Sequence, residues 1–137
     1  MRPEDIPVLA MLRQSMGYHS DRQRVIAENV ANANTPGYTP QDIAQSEFER
    51  ALNGATRPSR VTLQTSDSGH RQGTPVSSNT WRAGYAPDSE TTINGNSVVI
   101  EEQMVRSSDN RVRFETALSL YRKGLDMIRA ASRAPGA

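Results

Sequence analysis

Ala31-Asn32-Ala33-Asn34-Thr35-Pro36-Gly37-Tyr38 decides how this chain is built, because it stops a long apolar-patterned segment abruptly and turns the backbone outward. Pro36 disfavours helical geometry at Thr35, and Gly37 takes positive φ without steric cost, so Thr35-Pro36-Gly37-Tyr38 reads as a type II turn. Upstream, Leu9, Leu12, Met16, His19, Gln23, Ile26, Val30 and Ala33 are spaced alternately three and four apart, which places them on one stripe of a helix. Asp5 is the expected cap of that helix and Pro7 is tolerated in its first turn; the spacing predicts an end near Ala33 or Asn34. Asn29, Asn32 and Asn34 stand out here, since asparagine is a mediocre helix former that competes for backbone hydrogen bonds. Two roles are open to them: capping the end of the helix, or hydrogen bonding across a subunit contact.

A matching stripe recurs only at the far end of the chain. Ile100, Met104, Ser107, Arg111, Phe114, Leu118, Tyr121, Leu125 and Ile128 keep the same three-and-four spacing. Asn96 or Ser97 is the expected N-cap, Glu101 and Glu102 lie near the positive end of the helix dipole, and Arg122, Lys123, Arg129 and Arg133 lie toward its negative end. The β-branched triplet Val98-Val99-Ile100 is compatible with an extended entry into this helix. Each helix would be roughly 40 Å long at 1.5 Å per residue, beyond the ordinary globular range. The expected fold is mainly α, with the terminal helices packed as an antiparallel coiled coil, Leu12 near Leu125 and Ala33 near Met104. His19, Gln23, Ser107 and Arg111 interrupt the stripes, and polar residues in such seams fix register or meet another chain.

Between the helices the chain is polar. Asp42 to Leu52 predicts a short amphipathic helix with Ile43, Phe48, Ala51 and Leu52 near one face and Gly54 as its stop. From Ala55 to Ile93 apolar residues are scattered and Pro58, Pro75 and Pro87 interrupt regular structure, so loop is expected, with room for a small hairpin. The organisation is therefore a long helix over 1–34, a turn and short helix over 35–54, a polar loop-rich middle over 55–96 and a second long helix over 97–134, the two long helices forming one helical unit. Only 35% of the residues are hydrophobic and 5% aromatic, and mean hydropathy is −0.67. A large self-contained core is not expected from such a composition.

Composition also narrows the chemistry. Sixteen basic and 15 acidic residues are interspersed for a net charge of +1, which gives no reason to expect a nucleic-acid or anionic-membrane surface. The longest apolar stretch, Val8 to Leu12, falls far short of the roughly 20 residues needed to span a bilayer. The N-terminus, Met1-Arg2-Pro3-Glu4-Asp5-Ile6-Pro7, carries acids and prolines where a secretory signal needs a basic patch and an apolar run. There is no cysteine. With only His19 and His70 as imidazoles and no metal-ligand spacing, neither a metal nor a cofactor is expected. His19, Ser20 and Asp21 have the residue types of a hydrolytic triad, but consecutive helical residues point about 100° apart and cannot act in series. Trp81, Arg82 and Tyr85 offer a weak stacking cluster, better explained as local packing. An enzyme is disfavoured throughout.

Val25-Ile26-Ala27-Glu28-Asn29-Val30, followed by the octet, resembles the N-terminal signature of bacterial flagellar axial proteins: the rod, hook and hook-associated subunits. Asn94-Gly95-Asn96-Ser97-Val98, leading into Met104-Val105-Arg106-Ser107-Ser108-Asp109-Asn110 and a C-terminal helix, carries the likeness at the other end. The short chain and the uninterrupted octet fit a proximal-rod subunit best; Asn94 and Val99 stand where many relatives carry acids, and the middle matches only in length and polarity. The resemblance implies a non-enzymatic building block of the rod that crosses the periplasm, exported by the flagellar type III apparatus without a cleaved signal peptide. It implies contacts with other rod subunits such as FlgC, with the rod-to-ring adaptor FliE, with copies of itself and with the export apparatus. Asn29, Asn32, Asn34, Thr35, Pro36, Gly37 and Tyr38 are its motif and assembly residues. Leu9, Leu12, Met16, Ile26, Val30, Ala33, Ile100, Met104, Phe114, Leu118, Tyr121, Leu125 and Ile128 form the expected seam. Stripes half satisfied within one chain gain burial when subunits stack, so folding of the termini is expected to be coupled to assembly. The alternatives are another rod subunit such as FlgC, or a free-standing coiled-coil adaptor or export chaperone.

Overall fold

The computed structural model describes residues 6–55 and 81–133. Its architecture is mainly α: helix α1 (Pro7–Ala31), strand β1 (Gln41–Ile43), helix α2 (Gln45–Ala55), strand β2 (Ala83–Tyr85) and helix α3 (Ile100–Ser132) follow in that order. Pro7 occupies the first turn of α1, where its missing donor would have been unpaired anyway. Ile6 precedes it in extended geometry without a side-chain cap, and Asp5 lies outside the described residues.

The first helix stops earlier than its stripe suggests. Asn32 N–H donates to both Glu28 O and Asn29 O at 3.1 Å, and Ala33 N–H to Val30 O at 3.2 Å, so the last turn tightens after Ala31. Ala33 thereby leaves both the helix and its seam. The predicted turn is present: Gly37 has φ of 71°, and Tyr38 N–H reaches Thr35 O at 3.3 Å.

Helices α1 and α3 lie side by side with opposed chain directions. His19 meets Asn110, Gln23 meets Ser107 and Asn29 meets Gln103; toward the termini, Leu9 packs over Gly124, where even a β-carbon would come within 2.8 Å of the leucine. The face that α3 turns toward α1 is not its apolar stripe. Gln103, Asn110 and Ala117 are its buried residues, and with Gly124 they recur every seventh position. Ile100, Met104 and Ile128, expected in the seam, are exposed, Met104 to 62%. Small and hydrogen-bonded residues allow a closer approach of the backbones than the bulky stripe would, so the stripe is rotated to one side of the contact. On α1 the reading holds better, with Leu9, His19 and Ile26 buried, but Tyr18, Val25 and Asn29 are buried too.

These extra residues face the polar middle of the chain. Tyr18, Val25 and Ile43 form a small core with Phe48 and Trp81 packed against it. Tyr18 stacks on Phe48 at 4.8 Å and meets Trp81 edge-on at 5.3 Å, while its hydroxyl donates to Ile43 O. Burial raises the Tyr18 pKa above its ordinary value, so the phenol stays a donor. Trp81 is therefore a packing residue. Asp42 does not open α2 as expected, because both its oxygens hold the Arg22 guanidinium at 2.8 and 2.7 Å; the bond raises the Arg22 pKa. Asp42 instead lies in β1, which pairs antiparallel with β2 in the register Gln41↔Tyr85, Asp42↔Gly84, Ile43↔Ala83. No local hairpin forms this sheet. Val61, Leu63 and His70 lie outside the described residues.

Candidate functional site

The octet is clasped by the turn that leads into α3. Asn96, 2% exposed, donates its amide to Asn32 O at 3.0 Å and to Thr35 O at 2.7 Å, while its oxygen accepts from Val98 N–H. Asn32 is the C-cap residue of α1 and Thr35 lies in the turn that follows, so Asn96 adds a second donor to each of these carbonyls from 64 and 61 residues away. Gly37 N–H donates to Asn94 O and Ser97 N–H to Tyr38 O, both at 3.0 Å. Gly95 has φ of 80° and lies against Gly37 so closely that a β-carbon there would touch its Cα at 3.5 Å. The Asn94-Gly95-Asn96 turn expected from sequence thus lands on the Pro36-Gly37 turn. Asn96→Ala is expected to destabilise the chain by about 2 kcal/mol, since Val98 N–H loses its partner and the Asn32 and Thr35 carbonyls each lose one of two donors; urea unfolding of the full chain measures it.

Asn29 is the hub behind this clasp and is fully buried. Its amide nitrogen donates to Gln41 O at 2.7 Å and Gln103 Oε1 at 3.0 Å, and its oxygen accepts from Gln41 N–H and Tyr38 Oη at 2.9 and 3.1 Å. Toward Gln41 it presents one donor and one acceptor, as a neighbouring strand would, and so closes one edge of β1. Neither role considered for Asn29 from sequence describes this: it joins α1, β1 and α3 of its own chain. Asn32 does cap, donating to Glu28 O and accepting from the Thr35 hydroxyl. Asn34, Thr35, Pro36 and Gly37 are exposed at the tip. Tyr38 is held by Asn29, and burial raises its pKa.

From Asn29 the network continues through residues that have no signal in the apolar pattern. Gln103 donates to both oxygens of Asp88 at 3.1 and 2.9 Å; Asp88 also accepts from Val99 N–H at 2.8 Å and pairs with Arg106 at 2.9 Å. The Asp88 carboxylate, its side chain wholly inaccessible, thus caps α3 at Val99, where Asn96 or Ser97 was expected. Glu102 bridges Arg106 and the Ser89 hydroxyl nearby. A helix-start acid displaced into the preceding loop is detectable only once the loop has folded back.

Beside the α1–α3 contact runs an open groove. One end has a volume of about 480 Å³ and is lined by His19, Ser20, Gln23, Arg24, Ala27, Asn110, Arg111 and Phe114. The other, about 440 Å³, shares Gln23, Ala27 and Arg111 and adds Ile26, Val30, Met104 and Ser107. Met104, Ser107, Arg111 and Phe114, which the sequence placed in the intrachain seam, are the α3 wall of this groove. Its cations are each paired along their own helix, Arg24 with Glu28 and Arg111 with Glu115. Among the described residues no cluster of His, Cys, Asp and Glu is suited to a metal ion, and no helix is long and apolar enough to cross a membrane. His19 is hydrogen-bonded to Asn110 rather than to Ser20 or Asp21.

The helical hairpin is clasped at one end and open along one side, and its buried polar groups are hydrogen-bonded within the chain. The model of the family described as flagella basal body rod protein matches residues 19–39, the stretch from His19 through the octet. Over that stretch the chain is similar to the family. It is 27% identical over 114 residues to the flagellar basal body rod protein FlgB of Salmonella typhimurium, covering 82% of this chain and 83% of the relative. FlgB of Cereibacter sphaeroides is 26% identical over 125 residues, 90% and 91% of the two chains, and FlgB of Buchnera aphidicola is 29% identical over 100 residues, 72% and 69%. The resemblance read from both ends of the sequence therefore extends over most of the chain.

Proposed function

We propose that the chain builds the proximal part of the flagellar rod, with the groove and the apolar stripe of α3 seated against neighbouring subunits. The observation that carries this reading is the offset of the stripe: Ile100, Met104 and Ile128 are exposed on the single chain, although their spacing is that of a buried helical seam. Neighbours that cover them are copies of the chain and other rod subunits such as FlgC, with FliE joining the rod to its ring. In the assembled shaft the terminal helices wind as a coiled coil and cross the periplasm, after export through the type III apparatus without a cleaved signal peptide. The exposed tip Asn34-Thr35-Pro36-Gly37 serves as a further contact. The match to the rod-protein family and the FlgB names of the relatives support a proximal-rod subunit over a free-standing adaptor or chaperone.

Two substitutions separate assembly from folding. Met104→Glu adds a charge to a position already in water, so urea unfolding of the purified chain is expected to stay within about 0.5 kcal/mol of wild type. Motility of a strain carrying only this variant is expected to be lost, because the charge would be buried unpaired in the rod. Ile26→Asp buries that charge within the hairpin itself and is expected to cost about 3 kcal/mol or more in the same assay. A fully motile Met104→Glu strain would remove the stripe from the assembly face.

A further inference from the structure

The small sheet has one closed edge and one open edge. Gln41 N–H and Gln41 O both turn to the Asn29 side chain, so in the register Gln41↔Tyr85, Asp42↔Gly84, Ile43↔Ala83 the hydrogen-bonded pair is Asp42↔Gly84. Ala86 N–H donates to Pro40 O at 2.9 Å, as that alternation requires. The outer edge of β1 is closed: Asn29 holds Gln41, the Tyr18 hydroxyl donates to Ile43 O, and Ile43 N–H donates to Asp42 Oδ1. The outer edge of β2 is open. Ala83 and Tyr85 direct their N–H and C=O groups away from β1, and among the described residues these groups have no partner.

All of β2 is exposed, Tyr85 to 80%. Gly84 stands at its centre without positive φ, and nothing lies within 4 Å of where its β-carbon would be. Neither a turn nor internal packing calls for glycine there, whereas a glycine inside a strand suits the close approach of another backbone. Beside it is a cavity of about 430 Å³ shared with α2, its lining including Asp42, Glu47, Arg50, Arg82 and Gly84. Asp42 is paired with Arg22 and Glu47 with Arg50. Arg82 is exposed and, among the described residues, has no ion pair. The open ladder accepts an extended chain, and the unpaired guanidinium selects an anion on it.

We propose that the outer edge of β2 binds an extended segment of a partner protein as a third, antiparallel strand, with an acidic side chain of that segment on Arg82. Ala83 and Tyr85 each exchange a donor and an acceptor with the incoming backbone. The incoming residue between those two pairs lies over Gly84, on the face of Arg82 and diagonal to it, where its carboxylate reaches the guanidinium. Its neighbours share the face of Tyr85, which suits β-branched side chains. Pro87 ends the ladder on one side, so the segment is short. A second copy offers no match, because β2 set against β2 about Gly84 brings Arg82 opposite Ala86 and leaves both guanidiniums unpaired. The site is separate from the α1–α3 groove and does not rest on the assembly reading above.

NMR amide spectra of the full chain, titrated with acetyl-Thr-Val-Glu-Val-Thr-amide, test the proposal. In the free chain the Ala83 and Tyr85 amides are expected to exchange with solvent faster than that of Gly84; equal protection of all three overturns the proposal, since the edge would already be covered. The peptide is expected to shift and protect Ala83 and Tyr85 saturably, and to bind about two- to five-fold more tightly than its Gln counterpart. Arg82→Glu is expected to remove that preference. Ala83→Pro deletes only an outward N–H, so it is expected to keep the wild-type urea midpoint while weakening binding by about tenfold or more. Should Ala83→Pro fail to fold, the peptide N-methylated at both valines decides, with the same loss expected. No saturable shift, shifts confined to the α1–α3 groove, equal binding of the Glu and Gln peptides, or pairing of β2 with a second copy overturns the proposal.

Discussion

Replacing Asn29 with alanine is expected to lower the unfolding free energy of the full chain by about 4 kcal/mol, the largest loss from any single amide in the described fold. The side chain, itself fully buried, makes its bonds to Gln41 N–H, Gln41 O, Tyr38 Oη and Gln103 Oε1. Alanine removes all four bonds at once, and the buried Gln103 oxygen without a partner carries its full desolvation cost, the part-buried Gln41 and Tyr38 groups a share of theirs. Asn29→Asp separates lost volume from lost donors. It keeps the shape and the accepting oxygen but turns a second oxygen toward Gln41 O and Gln103 Oε1, so it is expected to be at least as harmful at neutral pH. Urea unfolding measures both variants; a wild-type midpoint for Asn29→Asp would remove the donor role from Asn29.

Asp88→Ala is the second large effect, with an expected cost of about 3 kcal/mol. Removing one member of a buried ion pair strands the other, and here the carboxylate also caps Val99 N–H and fixes the Gln103 amide that reaches Asn29. The figure stays at the low end because Arg106, 28% exposed, can turn to water or to Glu102. Arg106→Ala strands the inaccessible carboxylate instead, with only Val99 N–H and the Gln103 amide left to it, and is expected to cost a comparable amount, about 3 kcal/mol. Hydrogen exchange gives the sharper test: Asp88→Ala should deprotect the first turns of α3 while the amides of α1 near Leu9 change little. Uniform deprotection of both helices would deny Asp88 its local role.

The particular residues show why some features are legible and others are not. Pro36 and Gly37 act through their own backbone preferences, so the turn after α1 is readable from four residues. The α1 stripe is readable because Leu9 and Ile26 are apolar and periodic. Gln103 and Asn110 occupy the same kind of position on α3, yet a polar residue counts as core only when its partners are known, and those lie 74 and 91 residues away. The sevenfold recurrence of Gln103, Asn110, Ala117 and Gly124 was a signal available in the sequence, though outweighed by the adjacent run of larger apolar side chains. Adjacent helix positions differ by about 100°, so Gln103 and Met104 each imply a seam, and size alone favours the wrong one.

Sequence by itself determined the mainly helical class, the two long terminal helices, the stop at Pro36-Gly37 and the likeness to flagellar rod proteins, because periodicity, proline and glycine act over a few residues. Tertiary structure alone decided which face of α3 meets α1, that Asn29 completes an edge of β1, that Asn96 bonds the turn after α1 and Asp88 caps α3 from a distance, and that β1 pairs with β2 rather than with a nearby strand. Each of these depends on a hydrogen bond or a close approach between residues far apart in the chain. Hydrophobic spacing records that a face must be covered; only the folded backbone records which neighbour covers it.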